Sequence, residues 1–325
     1  MLLFAQFPLY RSDVTFIYLK SLYYYNTISG LNKESKRESL LLPPFCYNNT
    51  MYCQFYGLKE RPFNVTSDPS FFFSSQKHKE ALAHLFYGVT QRKGILAITG
   101  EIGTGKTTLC RLFLNQLGEK FKNVLTAFIL NPQFSDIELL EAIIKDFGIF
   151  VTGKSRLSLV GKLNAFLLEQ SERGNNVVLI IDEAQNLRPE QLEQVRLLSN
   201  LETEKDKLLQ IILVGQPELN TTLNLHGLRQ LQQRIMVRYH IGPLEAEEVG
   251  EYINHRLHMA GAQRLHFDED ALDAVAEFSH GVPRLINIMC DRALLAGFVA
   301  ETFRIDCEII DKCRKELDGY YCSVT

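Results

Sequence analysis

A chain of 325 residues, 46% apolar and 22% charged, has enough hydrophobic material for one large domain and a smaller one. Its formal charge of −3 excludes a global basic excess, so a contact with nucleic acid would need a local patch. Seven cysteines (Cys46, Cys53, Cys110, Cys290, Cys307, Cys313 and Cys322) form no C-x-x-C pair and suggest neither a zinc site nor a disulfide framework.

In chain order, residues 1–50 show neither a helical nor a strand period and end at a Pro-Pro break. The opening is apolar but broken by Arg11, Asp13 and Lys20, without the layout of a signal peptide. A patterned text starts at "MYCQFYGLKERPFNV". The expectation is a non-native or disordered extension over 1–50, with Met51 as the biological start. From residue 76, Ala81, Leu82, Leu85 and Phe86 share one helical face. Five apolar runs follow: "GILAITG", "NVLTAFIL", "NNVVLIID", "LLQIILVG" and a weaker "IMVRYHI". Near-continuous apolar runs alternating with helical patterns predict parallel strands buried on both faces, hence an α/β domain over 51–243.

After Pro243 the strands stop. Val249, Tyr252, Ile253 and Leu257 form one stripe, and "DEDALDAVAEFSHG" has an acidic start and a glycine stop. Two more helical patterns complete a helical domain over 244–325. Cys110 and Cys290 sit inside apolar helical patterns and are expected in the core. No run of about 18 apolar residues predicts a membrane span.

Gly100-Glu101-Ile102-Gly103-Thr104-Gly105-Lys106-Thr107, with Thr108 next, satisfies G-x-x-x-x-G-K-[ST] between a strand and a helix. Glycines let successive N–H groups point inward onto phosphate oxygens, and the helix start adds its positive dipole end. Lys106 is placed to neutralise the β- and γ-phosphates and the Thr107 hydroxyl to ligate Mg²⁺. The alternative, a glycine-rich turn with a surface lysine, does not explain why the motif stands between strand and helix.

"VVLIIDEAQNL" ends a buried strand with Asp182-Glu183. Neighbours on a strand point to opposite sides, so Asp182 suits the metal and Glu183 the activation of water. A glutamate here argues for hydrolysis rather than transfer to a metabolite; a pair that merely caps the next helix is the alternative. Asp-Glu-Ala-Gln is similar to helicase motifs, but the second motor domain is missing. The N-K-x-D signature of GTPases is missing too.

Gln216 ends the fourth run, where it can feel a γ-phosphate or be an ordinary polar loop residue. Arg229, Arg234 and Arg238 follow, and each can equally belong to a solvated face. Arg284 stands beside Pro283 at a helix start, where a cation opposes the macrodipole by about 0.3–1 kcal/mol. Contact with an anion would offset that cost. The Arg61–Val65 segment is the candidate for the adenine side.

Taken together, the phosphate loop, "LIIDEAQNL", the Gln216 strand end, "QRI" and "GVPRL" resemble an AAA+ ATPase of the ORC/Cdc6-like branch. More narrowly, "FYGLKERPFNVTSDPSFFF" with "ALAHLFYGV" and "GEIGTGKTTLCR" resembles the A-component ATPases of general (type II) secretion and MSHA pilus biogenesis. The resemblance runs from Met51 to near the chain end. It implies a P-loop NTPase sheet of order 5-1-4-3-2 followed by a small α-helical lid. It also implies Gln216 as sensor 1, Arg284 as sensor 2, and Arg234 as an arginine finger for a neighbouring subunit. The implied activity is Mg²⁺-dependent ATP hydrolysis, with the nucleotide as a switch in a homo-oligomer. Its implied partners are secretion or pilus assembly proteins. Its implied place is the cytoplasm or the periphery of the inner membrane. Two departures stand out: larger relatives continue into a membrane anchor and a peptidoglycan-binding region that are not seen here, and sensor 1 is Gln rather than Asn or Thr. The alternative is a DNA-associated ATPase resembling transposition helpers and loaders, which share this core.

Overall fold

Strands that are apolar along their whole length are stable only between two covered faces, and the computed structural model shows such a sheet. It describes residues 51–321 apart from 151, 152, 154 and 205. The expectations for residues 1–50 and the positions of Cys46 and Cys322 lie outside the described residues. The described residues belong to one compact unit.

Five parallel strands, β1 (Ile95–Gly100), β2 (Val124–Ile129), β3 (Asn176–Ile181), β4 (Leu209–Gly215) and β5 (Ile235–Ile241), lie in the order β2-β3-β4-β1-β5. Read from the other edge, this is the expected 5-1-4-3-2. Every residue of β1, β3 and β4 is buried. Only the edge strands face solvent. In β5, Ile235, Val237 and Ile241 are buried while Met236, Arg238 and His240 are exposed, which explains the weaker apolar signal of "IMVRYHI".

Strand alternation divides the core in two. Val177, Leu179 and Ile181 pack with α4 (Asp136–Asp146), α5 (Arg156–Glu172) and α6 (Pro189–Leu198), through Leu140, Leu163 and Leu192. Val178 and Ile180 pack on the opposite face with α2 (Gln76–Thr90) and α3 (Lys106–Lys120), through Leu85, Leu109 and Phe113. Each fully buried Leu, Ile or Phe contributes about 1.5–3 kcal/mol. The sheet is therefore a stiff platform whose carboxyl ends present β1, β3 and β4 side by side.

Beyond β5, α9 (Ala246–Met259), α10 (Glu269–Ser279), α11 (Pro283–Val299) and α12 (Cys307–Tyr321) enclose a third core around Val249, Ile253, Met289 and Ile310. Two features went unseen in the sequence. A two-residue parallel pair, β6 (His266–Phe267) with β7 (Arg304–Ile305), joins the helices and is too short to show a period. In addition, residues 51–75, which the sequence reading grouped with the sheet, send Tyr52 and Tyr56 of α1 (Met51–Tyr56), Phe63 and Phe71 into this helical core. The Tyr52 hydroxyl donates to Asp291 of α11 at 2.5 Å.

Cys110 and Cys290 are buried free thiols, as expected, and burial pushes both well above the usual thiol range. Among the described residues no helix is long and apolar enough to cross a membrane.

Candidate nucleotide site

β1 stops at Gly100 and α3 starts at Lys106. Between them Gly103 and Gly105 take φ of +85° and +89°, a region that residues with a Cβ rarely occupy. α2 and α4 are capped by the Ser75 and Ser135 side chains, whereas α3 has no side-chain cap at all. Its first N–H groups are left for an anion. The loop is braced from within: the Thr104 hydroxyl donates to the Glu101 carbonyl at 2.9 Å, and Lys106 Nζ donates to the carbonyls of Gly100 and Glu101 at 2.8 Å each. Two of the ammonium's three protons are used this way, and the third is left for a phosphate oxygen. Burial pushes the Lys106 pKa down, opposed by Glu183, Asp182 and Glu101.

Asp182 and Glu183 lie just past the end of β3 at Ile181. They diverge as expected, but the cause is a turn and not strand alternation: Glu183 has φ 53° and ψ 38°. Asp182, 1% exposed, accepts from the Thr107 hydroxyl at 2.6 Å. Its pKa is raised by burial, against the opposing pull of the Thr107 hydroxyl and the Glu183 N–H. A carboxylate touching a hydroxyl is an all-oxygen donor pair, suited to Mg²⁺, which takes one or two protein ligands and completes its shell with phosphates and water. Glu183 turns the other way, toward the Gln216 side-chain amide, 3.2 Å from Glu183 Oε2.

The helical lid reaches the loop directly. The backbone N–H of Arg284, in the first turn of α11, donates to the Gly103 carbonyl at 3.3 Å. The phosphate loop thus satisfies an orphan donor of the lid helix. A Cβ on Gly103 would stand 2.6 Å from Arg284 Cβ. Gly103→Ala is therefore expected to destabilise the protein by about 1–3 kcal/mol, the usual cost of a strained backbone position, and to weaken nucleotide binding. Urea unfolding and nucleotide titration of the variant check this; unchanged values in both would show that loop and lid do not meet at Gly103.

Loop and lid enclose a cleft of about 230 Å³. Its lining joins the phosphate loop (Ile102–Thr108), Glu183, Gln216 and Arg284 with Val65–Asp68, Phe71–Phe73 and His78, and with Tyr252, Arg256 and Asn287. Of the Arg61–Val65 segment only Val65 lines it, since Phe63, 1% exposed, is spent on the helical core.

Residues 89–223 match the family model of the AAA domain. The chain carries an AAA domain. Over 256 residues it is 44% identical to general secretion pathway protein A of Aeromonas hydrophila, a match covering 78% of this chain and 46% of that protein. The chain thus spans about half the length of that relative. Two solved structures are similar in fold. The Aeropyrum pernix ORC2 protein in its ADPNP-ADP complexes has a TM-score of 0.62 at 15% identity, covering 79% of this chain and 72% of that one. Cdc6p from Pyrobaculum aerophilum has a TM-score of 0.61 at 20% identity, covering 76% and 70%. The architecture is the AAA+ P-loop fold.

The structure gathers Gly103–Thr108, Glu183, Gln216 and Arg284 at one cleft, with Asp182 bonded to Thr107 behind them. Arg234 is not brought there. It is half-buried at the turn after α8 (Arg229–Gln232), near Glu193 of α6. Arg229 and Arg238 are exposed. The sequence reading missed His78, 4% exposed beneath the loop. Its Nε2 meets the Thr104 carbonyl at 3.0 Å and its Nδ1 the Ser75 hydroxyl at 2.7 Å. A carbonyl only accepts, so the Nε2–H tautomer fits both contacts, and burial lowers the His78 pKa. Nothing in "SSQKHKEAL" marks this histidine, because its partner is 26 residues away.

Proposed function

We propose that the chain is a Mg²⁺-dependent ATPase whose nucleotide state switches subunit and lid contacts, in support of assembling a bacterial secretion or pilus apparatus. One observation carries the hydrolytic reading: Thr107 is bonded to Asp182, and Glu183 and Gln216, bonded to each other, line the same cleft as the phosphate loop. Lys106 and the open N–H groups of α3 hold the phosphates. When bound, Mg²⁺ supplies charge neutralisation at the β- and γ-oxygens. Thr107 and Asp182 are the residues that would hold it. Glu183 takes the proton of the attacking water, Gln216 senses the γ-phosphate, and Arg284 carries the nucleotide state into α11 through its contact with Gly103.

Support for the secretion partners comes from the 44% identity to general secretion pathway protein A. Homo-oligomerisation is supported by the position of Arg234 off its own cleft. The division into an ATPase part over 51–243 and a lid over 244–325 belongs to the same reading, as does a site of action in the cytoplasm or at the periphery of the inner membrane.

Phosphate release by the purified chain tests it. Turnover is expected with ATP and Mg²⁺, lost with chelator, and indifferent to duplex DNA. Nucleotide binding without turnover at any protein concentration would refute hydrolysis. Stimulation by duplex DNA that falls steeply with salt would favour the DNA-loader alternative instead.

A further inference from the structure

Behind Glu183 and Gln216 stands a residue to which no role has been assigned, Gln185 of "DEAQ". It does not line the cleft, yet it holds both residues that do. Its Nε2 donates to Glu183 Oε2 at 2.5 Å, and its Oε1 accepts from the backbone N–H of Gln216 at 3.0 Å. The Gln216 side chain donates to the same Glu183 oxygen at 3.2 Å. Glu183 Oε2 is thus gripped by two amides, and Oε1 takes part in neither bond.

Gly215 supplies an independent sign that the arrangement is built. It ends β4 without a positive φ, so conformational freedom does not explain a glycine there. Close approach does: a Cβ at Gly215 would lie 2.8 Å from Gln185 Oε1 and 3.2 Å from the Gln185 backbone nitrogen. The strand end is kept bare to admit the Gln185 amide together with Leu219, whose Cδ2 would lie 3.2 Å from the same Cβ.

We propose that Gln185 is a positioning residue for hydrolysis, clasping the Glu183 carboxylate to the Gln216 end of β4 so that one oxygen stays fixed and the other faces the water. The clasp also couples the two residues, since any movement of Gln216 shifts both donors on Glu183. This rests on the reading of Glu183 as the group that activates water.

Single-turnover and steady-state kinetics test the clasp. Gln185→Ala is expected to lower kcat roughly a hundredfold, the effect of misplacing a catalytic group by about 1 Å. KM, nucleotide affinity and thermal midpoint should stay near wild type. Gln185→Glu keeps the size but removes the donor, and should lose as much. Gly215→Ala should lower kcat in the wild-type background and lower it less in the Gln185→Ala background, because the closest contact, with Gln185 Oε1, is then gone while those with the Gln185 backbone nitrogen and Leu219 remain. A normal kcat in Gln185→Ala overturns the proposal. So does a loss of kcat matched by losses in affinity and thermal midpoint, which marks a merely structural residue. Additive effects of the two substitutions overturn it as well. Glu183→Gln separates the causes: an inactive Glu183→Gln beside a normal Gln185→Ala removes only the clasp, whereas a fully active Glu183→Gln removes the reading of Glu183 and the clasp with it.

Discussion

Lys106→Ala is expected to abolish nucleotide binding. The side chain has two duties at one place. Its bonds to the Gly100 and Glu101 carbonyls tie the start of the phosphate loop to the start of α3. Its charge also offsets the two carboxylates at the end of β3, which would otherwise repel a polyphosphate. A hydrogen bond to a charged phosphate is worth about 1.5–3 kcal/mol, and with the bracing of the loop lost as well the combined loss is roughly a hundredfold or more in Kd. Affinity and stability should separate. The lysine is 6% exposed and burial disfavours its charge, so alanine relieves a desolvation cost while losing the binding energy. Titration with a fluorescent nucleotide, alongside thermal unfolding, checks both halves. A folded Lys106→Ala protein with wild-type affinity would refute the phosphate-loop assignment.

Arg234→Ala is expected to keep nucleotide binding and lose turnover by about 10³, the effect of removing an arginine finger. Arg234 stands at the junction of α8 and β5 and does not line the cleft of its own chain. Its charge is felt instead by Glu193, whose pKa is lowered first by its hydrogen bond with Arg196 and then, more weakly, by Arg234. If Arg234 is an arginine finger, it would reach a γ-phosphate across a seam with a second copy. Mixing Arg234→Ala with Glu183→Gln should therefore restore part of the activity, because one kind of seam combines an intact Arg234 with an intact Glu183. Phosphate release from the mixture, compared with each variant alone at equal total protein, reads this directly. A mixture no more active than its components would exclude a shared site, as would full turnover by a dilute monomer.

Much of the chemistry is local in the chain and was legible for that reason. The phosphate loop, the Asp182-Glu183 pair and the five apolar runs each lie within a few consecutive residues, and strand burial is written directly into residue type. The sheet order belongs to a different level. The runs themselves imply only a parallel sheet, and the order came from resemblance to a known family.

What stayed hidden depends on contacts between distant segments. Glu183 was assigned its direction by strand alternation, yet a left-handed turn sets it. Gln185 was in plain view within "DEAQ", but its meaning appears only when β4 brings Gln216 and the bare Gly215 beside it. Tyr52, Tyr56, Phe63 and Phe71 read as part of the sheet domain because they precede it. They pack on the helical lid because an apolar ring is stabilised by whatever surface covers it, regardless of order in the chain. The sequence alone therefore picked out the candidate phosphate and metal ligands, since short-range spacing carries that information. Only the tertiary structure decided how those atoms are aimed, because burial and hydrogen-bond geometry join residues that the sequence keeps apart.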